Sequence, residues 1–430
     1  MKKIAILTIL FFLGLNCFSQ EKLSLTDAIQ TALENNYDLQ IRRKDQQIAG
    51  IQNNWGTVGR YPYINLSAES RNSANQNNTE DYLQNQFTGG ASINWTLFDG
   101  FSVRINKQKF EQLEELSKQN TAIMVESTIQ SVILAYYSVL LEREKLNVYN
   151  KVMLLSEDRL LKAEHRKEFG TAVTYDVLQA KNAYLSDKAS MLVQEVSYKN
   201  AVRDLNYLLA VKENVVYQLT TDFSALPKEY ILNELASKMT ANNKVLKNQY
   251  INQNLLKNAV ALAKSDFSPG LNFAGGTTLS STRSDYETRG ESWNNYANFY
   301  GNFTLSFNLF SGSNRKRALQ IARINEDIGN VELDQIQHEL TNQLSNIYEF
   351  YLVRKELLNV ANENLAAAEL NLQISKEKFE SGAINSFNFR DVQNLYLNAA
   401  QRKLEAIYSF IDTHTALLRM TGTIIQEYPQ

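Results

Sequence analysis

Four stretches of the chain alternate apolar and polar residues with period two. In one, Gly89, Ala91, Ile93, Trp95 and Leu97 fall on one side and Thr88, Gly90, Ser92, Asn94 and Thr96 on the other. Far downstream, Phe299, Gly301, Phe303, Leu305, Phe307 and Leu309 alternate with Asn298, Tyr300, Asn302, Thr304, Ser306 and Asn308. Shorter runs set Ile64, Leu66 and Ala68 against Tyr63, Asn65 and Ser67, and Leu271, Phe273 and Leu279 against Asn272, Ala274 and Thr278. Successive side chains of a strand point to opposite faces, so this spacing predicts four strands, each with one apolar face. Elsewhere the spacing changes to three and four: Leu333, Ile336, Leu340, Leu344, Ile347 and Tyr351 form the stripe of a helix packed on a neighbour. Phe101 to about Arg166 contains neither Pro nor Gly, and Ser313 to Ser381 contains only Gly329. At ~1.5 Å per residue each span makes a rod of roughly 100 Å. The opening "SLTDAIQTALENN" predicts a helix capped by Ser24 or Thr26, with Leu25, Ala28, Ile29, Ala32 and Leu33 on its buried side.

The same order of elements occurs twice. Trp95 to Gly100 lies over Phe307 to Gly312, and Gly100 and Gly312 are 212 positions apart. At that offset Tyr136 falls on Tyr348, "EKLNV" on "ELLNV", and "FGTAVTYDVLQAKNAYL" on "SGAINSFNFRDVQNLYL", which matches Gly170 with Gly382. Upstream the offset is 207, pairing Asn35-Asn36 with Asn242-Asn243, and a loop between strands absorbs the difference. The chain reads as a first repeat over 20–212, a linker over 213–228 containing Pro227, a second repeat over 229–422 and a tail over 423–430. Each repeat runs helix, strand, loop, strand, long helix, break, helix.

Alternation alone also suits a soluble sandwich. Three features favour a membrane. None of the apolar-side residues named above is charged, and Lys or Arg there costs ~2–4 kcal/mol at a bilayer midplane. The other side is rich in Asn, Ser and Thr, which suits a wet lumen. Tyr61, Tyr63, Trp95, Phe98, Phe101, Trp293, Tyr296 and Phe310 gather at strand ends, as an interfacial girdle does. This makes Ile93, Trp95, Leu97, Phe303, Leu305 and Phe307 lipid-facing. Asn94, Thr96, Asn302, Thr304, Ser306 and Asn308 face the lumen. Four strands cannot close a barrel and an open edge has no partners in lipid, so such a chain must oligomerise, to eight, twelve or sixteen strands.

Composition narrows the rest. Four prolines in 430 residues fit long uninterrupted helices. A net charge of −2 gives no reason to expect nucleic acid as a partner. The N-terminus carries Lys2 and Lys3, then the short apolar run Ile4 to Leu15, then Cys17-Phe18-Ser19, and predicts a secretory signal peptide over 1–19. Cys17 is the only cysteine, and Asn16 before it is a poor fit to a lipidation site. The mature chain then has no thiol and no disulfide. No later segment approaches eighteen consecutive apolar residues, so no inner-membrane helix is expected. His165, His338 and His414 lie far apart and argue against a metal site; no P-loop, GxSxG or HExxH pattern occurs. No cofactor and no enzymatic activity are expected. A coiled-coil scaffold or adhesin, and a periplasmic enzyme built on a sandwich, stand as rivals to a channel.

The "LSLTDAIQTALENN" opening, the paired "LF-[DS]-G" strand exits and the paired "FGTAVTYDVLQAKNAYL" and "SGAINSFNFRDVQNLYL" segments resemble the TolC-type outer-membrane efflux protein family, over nearly the whole mature length. The resemblance implies an α+β membrane protein with a trimeric, twelve-stranded β-barrel, four strands per chain. The barrel would continue into a long periplasmic α-helical coiled-coil tunnel closed at its inner tip. It implies an outer-membrane channel subunit of a tripartite efflux or type I secretion system. The implied partners are two more copies, a periplasmic adaptor (membrane fusion) protein, an inner-membrane RND or ABC transporter and outer-membrane lipid. The breaks at Gly170 and Gly382 have two readings from the residues themselves: a Gly helix stop followed by an Asx cap on the next helix, or a functional turn. In the resembling family this turn is the tunnel tip and acidic residues there line the entrance. That assigns Asp176, Asn388 and Asp391 to a periplasmic gate. Asn388 departs from the more common Asp.

Overall fold

The computed structural model describes residues 22–76 and 80–428. The signal peptide, Cys17 and the end of the tail fall outside the described residues. The chain folds into two compact units, and each draws on both repeats: residues 22–41, 122–244 and 338–428 form one, and 42–121 and 245–337 the other.

In chain order the elements are β1 (Lys22–Leu23), α1 (Leu25–Asn35), α2 (Tyr37–Gln52), β2 (Tyr63–Asn75), β3 (Tyr82–Phe98), α3 (Ser102–Glu168), α4 (Thr174–Leu208), β4 (Gln218–Leu219), α5 (Leu232–Asn242), α6 (Lys244–Ser265), β5 (Gly270–Tyr286), β6 (Gly290–Ser306), α7 (Asn314–Glu380), α8 (Ser386–Met420) and α9 (Ile424–Glu427). The duplication is visible in the lengths: α3 and α7 have 67 residues each, and α4 and α8 have 35. Each repeat has two short helices before its first strand where the sequence pattern predicts one. Asn36 and Asn243 make the corners between them.

The helical unit is built around a core of Ala28, Ile29, Leu39, Ile129, Val132, Ile133, Tyr136, Leu140, Leu205 and Leu209. Burying each large aliphatic side chain contributes about 1.5–3 kcal/mol. Ser24 caps α1. Its hydroxyl accepts the Asp27 N–H at 3.1 Å, and the Asp27 carboxylate accepts the Ser24 N–H at 3.2 Å, which fixes where the helix starts. The repeats also share their polar ties. The Tyr136 hydroxyl donates to the Leu23 carbonyl at 2.9 Å, and its counterpart Tyr348 to the Tyr230 carbonyl at 3.0 Å. The Asn36 amide donates to the Leu208 carbonyl at 3.1 Å, and Asn243 to the Met420 carbonyl at 2.9 Å. One corner and one helix end are thereby tied in each repeat.

The segment over 213–228 holds β4, which pairs in parallel with β1. And α3 does contain an 18-residue window of mean hydropathy 1.4, long and apolar enough by composition to cross a membrane. Its apolar residues Ile129, Val132, Ile133 and Leu140 are fully buried in the helical core, which accounts for the run without a bilayer.

The other unit holds an antiparallel four-stranded sheet in the order β2-β3-β5-β6. Each repeat contributes one hairpin, and β3 pairs with β5 to join them. Directly paired residues share a face. One face carries the rungs Ile64–Ile93–Gly275–Gly301, Leu66–Ala91–Thr277–Phe299 and Trp95–Phe273–Phe303. The other carries Asn94–Ala274–Asn302 and Thr96–Asn272–Thr304. The edge strands β2 and β6 have no second partner among the described residues.

Candidate functional site

The sheet presents its apolar face bare. Leu66 is 83% exposed, Phe299 76% and Phe303 70%. Isolated exposed apolar residues are ordinary, but a continuous face of them marks a surface meant to be covered. On β5 this band runs from Leu271 to Leu279. The charges on that face of the sheet, Arg283, Asp285 and Glu291, come only beyond it and pair with one another, Arg283 with both acids. Nine residues matches the ~9–11 that a tilted transmembrane strand needs.

Of the positions assigned to the two faces, Ile93, Trp95, Phe303 and Leu305 lie in the apolar rungs, and Asn94, Thr96, Asn302, Thr304 and Ser306 in the polar ones. The end of β3 differs from strict alternation. The register shifts between Thr96 and Phe98, so Leu97 is the extra residue of a bulge and Phe98 takes the place opposite Leu271. At the other edge β6 ends at Ser306, so Phe307 and Asn308 lie past the strand in the exit segment.

Beyond β3, the Asp99 carboxylate accepts the Val103 N–H at 3.0 Å and starts α3. Gly100 has φ +69°, and a side chain there would meet the Ser265 carbonyl at 2.5 Å. Only glycine suits both the left-handed backbone and the close approach. This is the physical content of the "LF-[DS]-G" exit.

Both helix breaks are built alike. Gly170 and Gly382 sit at φ +71° and +76°. In each, the N–H after the glycine reaches back to close the turn: Thr171 to the Arg166 carbonyl at 2.8 Å, and Ala383 to the Lys378 carbonyl at 2.8 Å. The caps of the next helices differ from the sequence reading. Asn385, not Asn388, caps α8, its side chain accepting the Asn388 N–H at 2.8 Å. Asp176 stands three residues inside from Val173, whose N–H it accepts at 3.4 Å. Asp391 is exposed, and no bond among the described residues joins Asp176, Asn388 and Asp391 to one another.

What the sequence reading missed lies just behind these breaks. Arg390 of α8 makes a two-pronged bond to Asp187 of α4, at 2.5 and 2.7 Å. Ser156 of α3 donates to the same carboxylate and accepts from Arg390 at 3.3 Å. Arg159, 2% exposed, donates to the Ser386 carbonyl at 3.3 Å. Burial lowers its pKa to about 10, with the like charge of Arg390 adding to the effect and Asp187 opposing it. Three helices from both repeats therefore meet on one buried charged node. Around it Phe379 stacks on Phe389 at 4.9 Å, and Lys162 joins Glu380 at 3.2 Å. No local pattern signals the node, because Asp187 and Arg390 are 203 positions apart.

Among the described residues no group of three or more His, Cys, Asp or Glu could hold a metal. His414 is packed among Tyr230, Tyr351 and Phe410 and hydrogen-bonds the Tyr230 hydroxyl at 2.8 Å.

A duplicated pair of very long helical hairpins and an open sheet with one bare apolar face define a TolC-like architecture. Solved structures share it. The Campylobacter jejuni CmeC outer membrane channel matches with a TM-score of 0.74 at 16% identity, over 93% of this chain and 85% of that one. The Vibrio cholerae outer membrane protein VceC matches at 0.72 and 13% identity, over 93% and 96%. The open state of the Neisseria gonorrhoeae MtrE outer membrane channel matches at 0.70 and 16%, over 93% and 88%. No curated protein matches the chain in sequence. The family model for outer membrane efflux proteins matches residues 28–211 and again 235–423, and the chain belongs to that family. The family is one of efflux proteins rather than enzymes.

Proposed function

We propose that this chain is the outer-membrane subunit of a tripartite efflux or type I secretion system. Three copies close a twelve-stranded barrel, and the assembly passively conducts substrates handed over by an inner-membrane RND or ABC transporter through a periplasmic adaptor. A cleaved signal peptide over 1–19 exports it. The observation that carries this is the open four-stranded sheet with one bare apolar face and one polar face, in a chain of the outer membrane efflux protein family. A single-channel recording on purified protein in a planar bilayer is the test. Discrete conductance steps support a channel, and their absence from inserted protein favours a scaffold.

In the same reading the helix breaks are the periplasmic gate. Three copies of Asp176 and Asp391 around one axis create a negative potential that low-dielectric walls focus. Such a ring favours cations and binds multivalent ones that block the pore. Asp391→Asn is expected to weaken block by a trivalent cation and to lower cation selectivity, with Asp176→Asn acting the same way but less. Unchanged block in the double variant would reduce both carboxylates to helix-terminal groups.

A further inference from the structure

Inside the chain α8 lies antiparallel along α3. Lys145 of α3 pairs with Glu405 of α8 at 3.2 Å. The Gln401 amide donates to the Tyr149 hydroxyl at 2.6 Å, and Arg390 to the Ser156 hydroxyl at 3.3 Å. The duplication gives each of these helices a counterpart 212 positions away: α7 for α3, and α4 for α8. A repeat of the same seam would therefore set an α4 along α7. Both helices leave that face bare in the single chain. Val193 of α4 is 69% exposed and Leu357 of α7 is 52% exposed. Leu178, Leu185 and Leu192 of α4 are exposed as well, at intervals of seven, the spacing of a coiled-coil seam.

The three polar pairs of the α3–α8 seam all become apolar at the counterpart positions. Lys145 and Glu405 give way to Leu357 and Val193, Tyr149 and Gln401 to Ala361 and Ala189, and Ser156 and Arg390 to Ala368 and Leu178. Both members change in every pair, as they must if the two counterparts meet. Between these layers the interchange runs the other way: Val152 and Ala400 share a buried cluster, and their counterparts are Asn364 and Lys188. A groove to receive α4 is present. A cavity of about 380 Å³ is lined by Leu357, Val360 and Ala361 of α7 and by Ala406 and Ser409 of α8. The counterparts of Leu357 and Ala361 are Lys145 and Tyr149, the residues on which α8 already lies.

We propose that α4 of a second copy packs antiparallel into this groove, with Val193 against Leu357 and Leu178 against Ala368. Contact between copies is then apolar at the layers where contact inside a chain is charged. The interchange also excludes wrong pairing. An α4 on α3 would set Val193 against Lys145, and an α8 on α7 would set Glu405 against Leu357, each burying a charge without its partner. The edges of the sheet follow the same rule, since β6 belongs to the second repeat and β2, the edge that a second copy would offer it, to the first. The inference rests on the three-copy reading under Proposed function.

The test moves the pair found inside the chain to the contact between copies. In detergent, Leu357→Lys alone and Val193→Glu alone are each expected to weaken association, on the order of tenfold from the loss of one buried aliphatic contact. The double variant is expected to recover most of that loss at low salt and to lose it again at high salt. Thiol linkage reads the register independently. In a Cys17→Ser chain, Val193→Cys with Leu357→Cys should give, with a short bis-maleimide, a covalent ladder that ends at three chains. Val193→Cys with Glu377→Cys, about 30 Å further along α7, should give none. Native mass is measured on the same samples. An intact oligomer with no recovery in the double variant, with no Val193–Leu357 ladder, or with an equal ladder in the Glu377 pair would overturn the register alone. Linkage confined within single chains would overturn it too. A parent protein that is monomeric before any substitution would remove the three-copy reading and the seam with it.

Discussion

At the scale of the residue, the decisive feature is a charge that has been buried on purpose. Asp187 accepts from Arg390 through both oxygens and from Ser156 as well, and it is 6% exposed. A buried ion pair is weak evidence of net stability, but removing one partner leaves the other charge uncompensated, typically at ~3–5 kcal/mol. Asp187→Asn is therefore expected to lower stability by about that amount and to speed hydrogen exchange in the first turns of α8. A loss below about 1 kcal/mol would show the node to be solvated rather than structural. A second residue gives a pH signature. Burial lowers the pKa of His414 below its ordinary 6.5, so folding favours the neutral ring. The unfolded chain then binds the extra proton first. Stability from this site is complete above pH 6.5 and is lost as pH falls from there towards the lower folded value. Melting temperature should drop on acidification in the parent chain and drop less in His414→Gln, which keeps a partner for Tyr230. Parallel pH profiles for the two would exclude His414 as the cause.

At the scale of the element, the sheet divides sharply into two faces, and the division can be tested by placing one charge on each. Ile93→Arg and Leu305→Arg would put guanidinium groups among lipid tails at ~2–4 kcal/mol each. Their neighbours Asn94→Arg and Ser306→Arg would put the same group in water. Folding yield into bilayers should fall for the first pair and hold for the second, and equal yields would reverse or abolish the assignment. These faces were legible in the sequence because the side-chain period of a strand is strict. The long helices were legible because α3 has no Pro or Gly and α7 only Gly329, and the start of α1 because a capping residue, Ser24 or Thr26, stands before the apolar run. What escaped was whatever depends on a partner strand or helix. The bulge that turns Leu97 out of step is decided by the pairing of β3 with β5, and the two-residue strand β4 exists only because β1 lies beside it. The cap of α8 is Asn385, whose side chain accepts the Asn388 N–H, so Asn388 itself stands inside the helix. The node at Asp187 and Arg390 joins helices from opposite repeats, which no window along the chain contains.

At the scale of the whole molecule, duplication produces a component that is unfinished alone. Each repeat supplies one hairpin, β3 and β5 join them, and the resulting sheet stops with β2 and β6 unpaired. In water an open edge is a liability; in hydrocarbon its free N–H and C=O groups cost several kcal/mol each. The order of the strands offers the solution. An even number of antiparallel strands leaves β2 and β6 running in opposite senses, so β6 of one copy can pair antiparallel with β2 of the next and repeat the hand of every other pairing in the sheet. Such head-to-tail contacts close into a ring when the rotation allows. Twelve strands from three copies is the closure this family membership favours. Cross-linking and native mass measurement in mild detergent should therefore give three times the chain mass with no abundant monomer. Leu305→Arg, which sits on the edge strand itself, should move the distribution towards monomer, whereas Asp391→Asn should leave it unchanged because it lies in α8 rather than in the sheet. A stable monomer in the bilayer would mean that the edges are satisfied in some other way, and the twelve-stranded barrel would have to be abandoned.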